Sequence, residues 1–262
     1  MNAAVTSTAR YEITHETQYS YAVPVALSQQ LVHLFPRFCS WQQCDIQTLT
    51  IEPTPTHQRD EQDVFGNPLT RLSFESPHET LTLTARLNIA VNARELPALE
   101  SSAKWESVSE LLGYRADTSP STDVLEACQF RYESPAVRLK RVFVQYGDDC
   151  FTTDTPILVA AQKMMRKIFT EFTFDSGATE VTTPLIEVLE NKRGVCQDFA
   201  HLMIACLRSR GLAARYVSGY LLTAPPPGQP RLIGADASHA WVSVFCPQNG
   251  WVDFDPTNNM LP

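Results

Sequence analysis

Hydrophobic and polar residues alternate with two different periods along this chain. From about residue 9 to 92 the period is two: Tyr11, Ile13, His15, Thr17, Tyr19 and Tyr21 occupy every second position, and LTRLSFES and LTLTARLNIAVNA repeat the habit. Turn-rich stretches, EPTPTHQRDEQ and FGNP, separate these runs. The pattern predicts an antiparallel, sandwich-like β domain over residues 1–100. Beyond it, ARELPALESSAKWESVSELLGYRADTSPSTD mixes acids, serines and prolines around one short helical piece, and VLEACQFRYESPAV reads as a helix; residues 101–153 are expected to form a helical connection.

From residue 154 onward the period is mainly 3.6. PILVAAQKMMRKIFTEF predicts a long amphipathic helix with Asp154 or Thr155 as its cap and Pro156 at the first helical position. The Met164–Met165 pair within it reads as core filling. PLIEVLENKRG predicts a shorter helix leading to a tight turn at Gly194. In GVCQDFAHLMIACLRSRGLAARYVSGYL, Phe199, Leu202, Met203, Cys206 and Leu207 recur at three- and four-residue spacing, and Gly211 stops the helix. A strand, ARYVSGYLLTA, follows, then an exposed loop marked by Pro225–Pro227, then two strands, SHAWVSVF and GWVDFDP, around CPQNG. The fold class is therefore α+β, with the β domain followed by a core over residues 154–262 in which helices pack on an antiparallel sheet.

This arrangement puts Cys196 in the first turn of a helix. Unpaired N–H groups and the positive end of the helix dipole favour an anion there, so the position suits a thiolate nucleophile. A metal site is not expected, although Cys196, His201 and Cys206 cluster in sequence. Five residues of helix turn through about 140°, so their side chains leave in different directions. On the later hairpin, His239, Trp241, Ser243 and Phe245 share one face, as do Trp251, Asp253 and Asp255. Pairing Phe245 with Asn249 sets His239 directly opposite Asp255; pairing Phe245 with Trp251 sets Asp255 opposite Trp241, one diagonal step away. Asp253 shares the face and competes for the same role; in the tighter register it lies nearer Trp241, which favours Asp255. Cys196, His239 and Asp255 together supply a nucleophile, a base and a group to orient the base.

Composition narrows the partners. The chain has 262 residues and a formal charge of −8, which argues against nucleic acid or an anionic membrane as the main partner. The opening stretch MNAAVTSTARYEITHETQYSY lacks the apolar run of a leader, and no stretch has the roughly 18 apolar residues of a membrane span. Seven cysteines (39, 44, 128, 150, 196, 206 and 246) are an odd set with no regular spacing, which suits a reducing compartment. A cytoplasmic protein is expected. His15, His33, His57 and His78 are scattered through the β domain and are assigned no chemistry.

The motifs GVCQDFAHLMIACLRSRGLAARYVSGYL, GADASHAWVSVF and GWVDFDPTNN resemble the bacterial transglutaminase-like family, part of the papain-like cysteine peptidase and transglutaminase superfamily. YEITHETQYSYAVPVALSQQLVHLFPR and DVFGN are similar to the β-rich N-terminal domain that accompanies this core in bacteria. The resemblance implies a papain-like core, with Cys196 as nucleophile, His239 as base and Asp255 as third member. It implies acyl transfer through a thioester on a peptide or protein substrate, without a cofactor or metal. Water as acceptor gives a peptidase or amidase, the favoured outcome because nothing in the sequence marks an amine tunnel or a calcium loop. Protein-glutamine cross-linking with an amine acceptor and a non-catalytic binding module on the same fold are the alternatives. The backbone N–H of Cys196 is one expected oxyanion donor; the sequence identifies no second, and leaves substrate identity and oligomeric state open.

Overall fold

The computed structural model describes residues 8–114, 116, 119–222, 228, 233 and 238–262; the Pro225–Pro227 loop lies outside the described residues. The chain divides into two compact units, Met1–Leu96 and Pro97–Pro262.

The first unit is all β: β1 (Thr8–Val25), β2 (Ser28–Val32), β3 (Gln42–Glu52), β4 (His57–Gln62), β5 (Pro68–Phe74) and β6 (His78–Asn92). They form two antiparallel sheets, ordered β1-β6-β3 and β2-β5-β4. The period-two signal is clearest in β6, where Leu81, Leu83, Ala85, Leu87 and Ile89 are buried between polar neighbours. Leu72 and Phe74 of one sheet meet Leu81 and Leu83 of the other, with Tyr21, Val32 and Ile51 packed around them, which is the core of a sandwich. The motif DVFGN is the β4–β5 turn. Asp63 accepts from the backbone N–H of Phe65 at 2.9 Å and of Asn67 at 2.8 Å, and from Asn67 Nδ2 at 2.8 Å, while Gly66 has φ of +77°. Slight burial opposes the Asp63 charge, but these donors and nearby His33 hold the carboxyl below its usual range.

The second unit carries α1 (Trp105–Leu111), α2 (Thr122–Cys128), α3 (Arg141–Tyr146), α4 (Ile157–Glu171), β7 (Thr173–Phe174), α5 (Leu185–Asn191), β8 (Arg193–Gly194), α6 (Cys196–Arg208), β9 (Ala214–Gly219), β10 (His239–Cys246) and β11 (Gly250–Phe254). The last three strands form an antiparallel sheet ordered β11-β10-β9. Val108, Val124 and Phe143, from the stretch read as a connection, belong to the same apolar core as α4, α6 and β10.

Three local expectations change. The cap of α4 is Pro156, with no side-chain capping bond; Thr155 hydroxyl pairs with Thr152, and Asp154, at φ of +63°, pairs with Lys104. Gly194 is not a turn residue but half of β8, which runs parallel to β7. The helix expected over VLEACQFRYESPAV ends at Cys128 and is followed only by a 3-10 turn over Gln129–Arg131.

Helix α6 is the centre of this unit. Every residue from Leu202 to Leu207 is buried, so the helix is enclosed all round rather than along the stripe its larger residues trace. Ala200 and Ala205 complete the enclosure by letting neighbouring elements approach closely, and α6 packs against β8, β9, β10, α3, α4 and α5. Gly211, at φ of +74°, ends the turn after the helix and returns the chain into β9. Truncating Leu202, which is fully buried, to Ala leaves a cavity that the surrounding elements cannot close. We expect a loss of about 2–5 kcal/mol in urea unfolding followed by tryptophan fluorescence; a change below about 1 kcal/mol contradicts a rigid core around α6.

Candidate active site

The start of α6 is held by a carboxylate one turn in. Asp198, buried at 5% exposure, accepts the Val195 backbone N–H at 2.8 Å and the Thr179 hydroxyl at 2.6 Å through Oδ2. This satisfies one of the otherwise unpaired N-terminal donors and places negative charge at the positive end of the helix. A Cβ at Gly194 would lie 2.6 Å from the same oxygen, so the glycine is required by close approach to Asp198. The result fixes Cys196 at the first position of α6, partly exposed, with its backbone N–H directed out of the helix.

The hairpin adopts the second of the two registers open to it. Phe245 pairs with Trp251 and Val242 with Phe254, and the pairing extends to Cys246 with Gly250. Asp255, just past β11, therefore reaches His239 diagonally. His239 Nε2 and Asp255 Oδ2 are 2.9 Å apart, and both side chains are fully buried. The imidazole engages Asp255 and not its sequence competitor Asp253, which pairs opposite Ser243.

The other ring nitrogen, Nδ1, is enclosed and meets no partner in full hydrogen-bond geometry, yet the Cys196 thiol lies near enough to bear on the ring. Burial by itself would lower the pKa of His239. The hydrogen bond to Asp255 and the close approach of the Cys196 sulfur, and then the charges of both, outweigh it and raise the value to about 9. The imidazolium is thus the form favoured at neutral pH. The structure brings Cys196, His239 and Asp255 to one place.

Tyr216, Gly219 and Asn258 border this site without a signal in the sequence, whereas Trp241 and Trp251 lie on the faces that the strand period gave them. The Trp241 ring lies parallel to His239, at 29° and 6.3 Å between centroids, and packs so tightly over Gly219 that a Cβ there would lie 2.3 Å from it. Tyr216 of β9 rests on His201 of α6 with 4.9 Å between ring centroids. Burial, followed by the charges of Cys196 and Asp198, pushes its phenol up to about 12, so it remains a neutral O–H group beside the thiol. Asn258 donates to Asp255 Oδ2 at 2.8 Å. Trp251 turns into packing with Phe130, Phe245 and Arg215.

His201 and Cys206 do not join Cys196. His201 is held against Tyr216, and Cys206 is sealed in the core, its thiol pushed up to about 12 by burial. Among the described residues no group of three or more His, Cys, Asp or Glu is arranged to hold a metal ion, and no helix is long and apolar enough to cross a membrane.

Comparison with known proteins agrees with this architecture. Residues 11–90 match the bacterial transglutaminase-like N-terminal region and residues 145–256 match the transglutaminase-like superfamily. An uncharacterized protein of Mycobacterium tuberculosis is 37% identical over 269 residues, spanning 100% of this chain and 82% of the relative. A protein-glutamine gamma-glutamyltransferase of Pseudomonas aeruginosa is 34% identical over 76 residues, which is 29% of this chain and 11% of that protein. The crystal structure of a candidate cysteine protease from Cytophaga hutchinsonii shares the fold with a TM-score of 0.72 at 18% identity, covering 97% of this chain and 78% of that one. The chain belongs to the transglutaminase-like superfamily, its core preceded by the N-terminal region found with that core in bacteria.

Proposed function

We propose that this protein is a cysteine-dependent acyl-transfer enzyme that hydrolyses an amide or peptide bond, with Cys196 as nucleophile, His239 as acid and base, and Asp255 orienting the imidazole. The observation that carries the reading is the fully buried His239–Asp255 pair beside a cysteine at a helix start. The reaction begins when His239 takes the proton of the Cys196 thiol, so that the attacking sulfur carries its charge beside the imidazolium. Sulfur attacks the substrate carbonyl, and the Cys196 backbone N–H, free of an intrahelical partner, stabilises the developing oxyanion. Imidazolium gives its proton to the departing amine, leaving a thioester and a neutral ring. Neutral His239 then takes a proton from water as it attacks the thioester; collapse releases the acid and restores the ion pair.

The same acylation followed by attack of a primary amine makes a cross-link instead of a hydrolysis product. Similarity to the Pseudomonas gamma-glutamyltransferase over 76 residues favours this as the second reading. The two differ only in the acceptor, and adding a primary amine to a turnover assay separates them by product mass. The seven free cysteines support a reducing compartment, and we assign the reaction to the cytoplasm, acting on a peptide or protein without a nucleic-acid or membrane partner.

Two measurements bear on the reading. Iodoacetamide, with modified sites located by mass spectrometry, should label Cys196 at pH 6–7 at least about tenfold faster than buried Cys150 and Cys206, whose thiols are pushed up to about 11 and about 12 by burial. His239→Ala should remove the advantage; equal labelling in wild type refutes the paired thiolate. The pH profile gives the second. Because the pKa of His239 is raised in the folded protein, the stabilisation from its protonated form is complete below about 6.5 and fades as pH rises through about 9. Acylation should follow the same descending limb, and Asp255→Asn should move it to lower pH. A limb that stays in place in that variant contradicts the assignment of Asp255.

A further inference from the structure

The Asp255 carboxylate is gripped on both oxygens. Oδ1 accepts the backbone N–H of Thr257 at 2.8 Å and of Asn258 at 3.3 Å. Those two bonds belong to the turn and require no particular side chain at 258. Oδ2 is different: it accepts His239 Nε2 at 2.9 Å and the side-chain Nδ2 of Asn258 at 2.8 Å.

The orientation of the Asn258 amide is itself determined. Its Oδ1 accepts the backbone N–H of Ile233 at 2.9 Å, and Nδ2 donates to the Ile233 carbonyl at 3.2 Å. A flipped amide would set its oxygen against both the Ile233 carbonyl and the Asp255 carboxylate, losing all three bonds. The backbone N–H and C=O of one residue, 25 positions away in sequence, therefore dictate that a donor, and not an acceptor, faces Asp255. The adjacent Asn259 has a separate part, occupying the left-handed region at φ of +52°.

We propose that Asn258 is a positioning residue of this site: its amide, oriented by the backbone of Ile233, fixes the rotation of the Asp255 carboxylate and thereby keeps His239 Nε2 bonded and Nδ1 turned to Cys196. The proposal rests on the acyl-transfer reading. Bonds at Oδ1 bend enough to let the carboxylate rock about its Cβ–Cγ bond, which carries both oxygens and tips Oδ2 out of the imidazole plane. A second donor on Oδ2 removes that freedom. The titratable groups bearing on His239 are Asp255, from the turn after β11, and Cys196, from α6. Tyr216 of β9 faces Cys196 and Asp198, and Asp253 of β11 pairs directly opposite Ser243. Asn258 carries no charge at any pH, so an effect of replacing it by Ala reports geometry and not a lost charge.

The test is the rate of Cys196 alkylation by iodoacetamide from pH 5 to 10 in wild type, Asn258→Ala, Asn258→Asp, His239→Ala and the Asn258→Ala/His239→Ala double variant, with thermal unfolding measured alongside. Asn258→Ala should slow alkylation near pH 6 about tenfold, the scale of one lost hydrogen bond to a charged group, and make its pH profile more like that of an ordinary thiol. Asn258→Asp keeps the size and the acceptor for Ile233 but cannot donate when ionised. It should fail to rescue, and it carries the test if the Ala variant unfolds. In the His239→Ala background, Asn258→Ala should change the rate less than about twofold, because its effect travels through the imidazole. Wild-type profiles in both single variants, or an undiminished effect without His239, overturn the positioning role while leaving the acyl-transfer reading standing. Indifference of alkylation to His239→Ala in the otherwise wild-type chain removes that reading and this proposal together.

Discussion

The site depends on a histidine and an aspartate buried together. Removing an imidazolium and a carboxylate from water costs several kcal/mol per ion, and their attraction compensates only where the remaining polar atoms are also met. The surroundings of Asp255 meet that condition: four donors reach its two oxygens, and its own backbone N–H donates to the Met260 carbonyl at 2.8 Å, closing the turn over residues 255–260. The β10–β11 hairpin, the turn beyond it and the start of α6 meet at this pair. Each delivers a donor or a charge to one small volume.

The two ends of the site are held by unrelated means. At the hairpin end the support is a hydrogen-bonded network with a defined direction for each amide. At the helix end it is a single carboxylate, Asp198, whose placement depends on the absence of a side chain at Gly194. Neither support touches the other's residues. The proximity of Cys196 to His239 depends on α6 running alongside β9 and β10, with the apolar core between them keeping that spacing.

Much of this was legible in the sequence because it is local. The placement of Cys196 followed from helical spacing and the Gly211 stop, and the shared face of His239 and Asp255 from the two-residue period of strands. The choice between hairpin registers was not legible, since both keep the histidine and the aspartate together; packing of Trp251 against Phe130 and Phe245 goes with the observed one. Gly194 reads as a turn residue because a glycine required by a side chain four residues ahead looks, in sequence, like any other. Asp154 resembled a cap but is drawn away by Lys104, fifty residues earlier. Asn258 and Ile233 belong to the same class of long-range fact, which no periodicity encodes. DVFGN shows the reverse case, where a motif noted for its resemblance is accounted for by turn chemistry alone.

Gly219 sits across from His239 on the edge strand, and the six-membered ring of Trp241 fills the space its missing side chain leaves. That ring also lies flat beside the imidazole. The edge of the sheet is therefore a mechanical boundary of the site. A methyl group at position 219 would press on the indole and through it on His239, so the imidazole can be displaced by volume alone, with every charge and hydrogen-bonding group around it left intact.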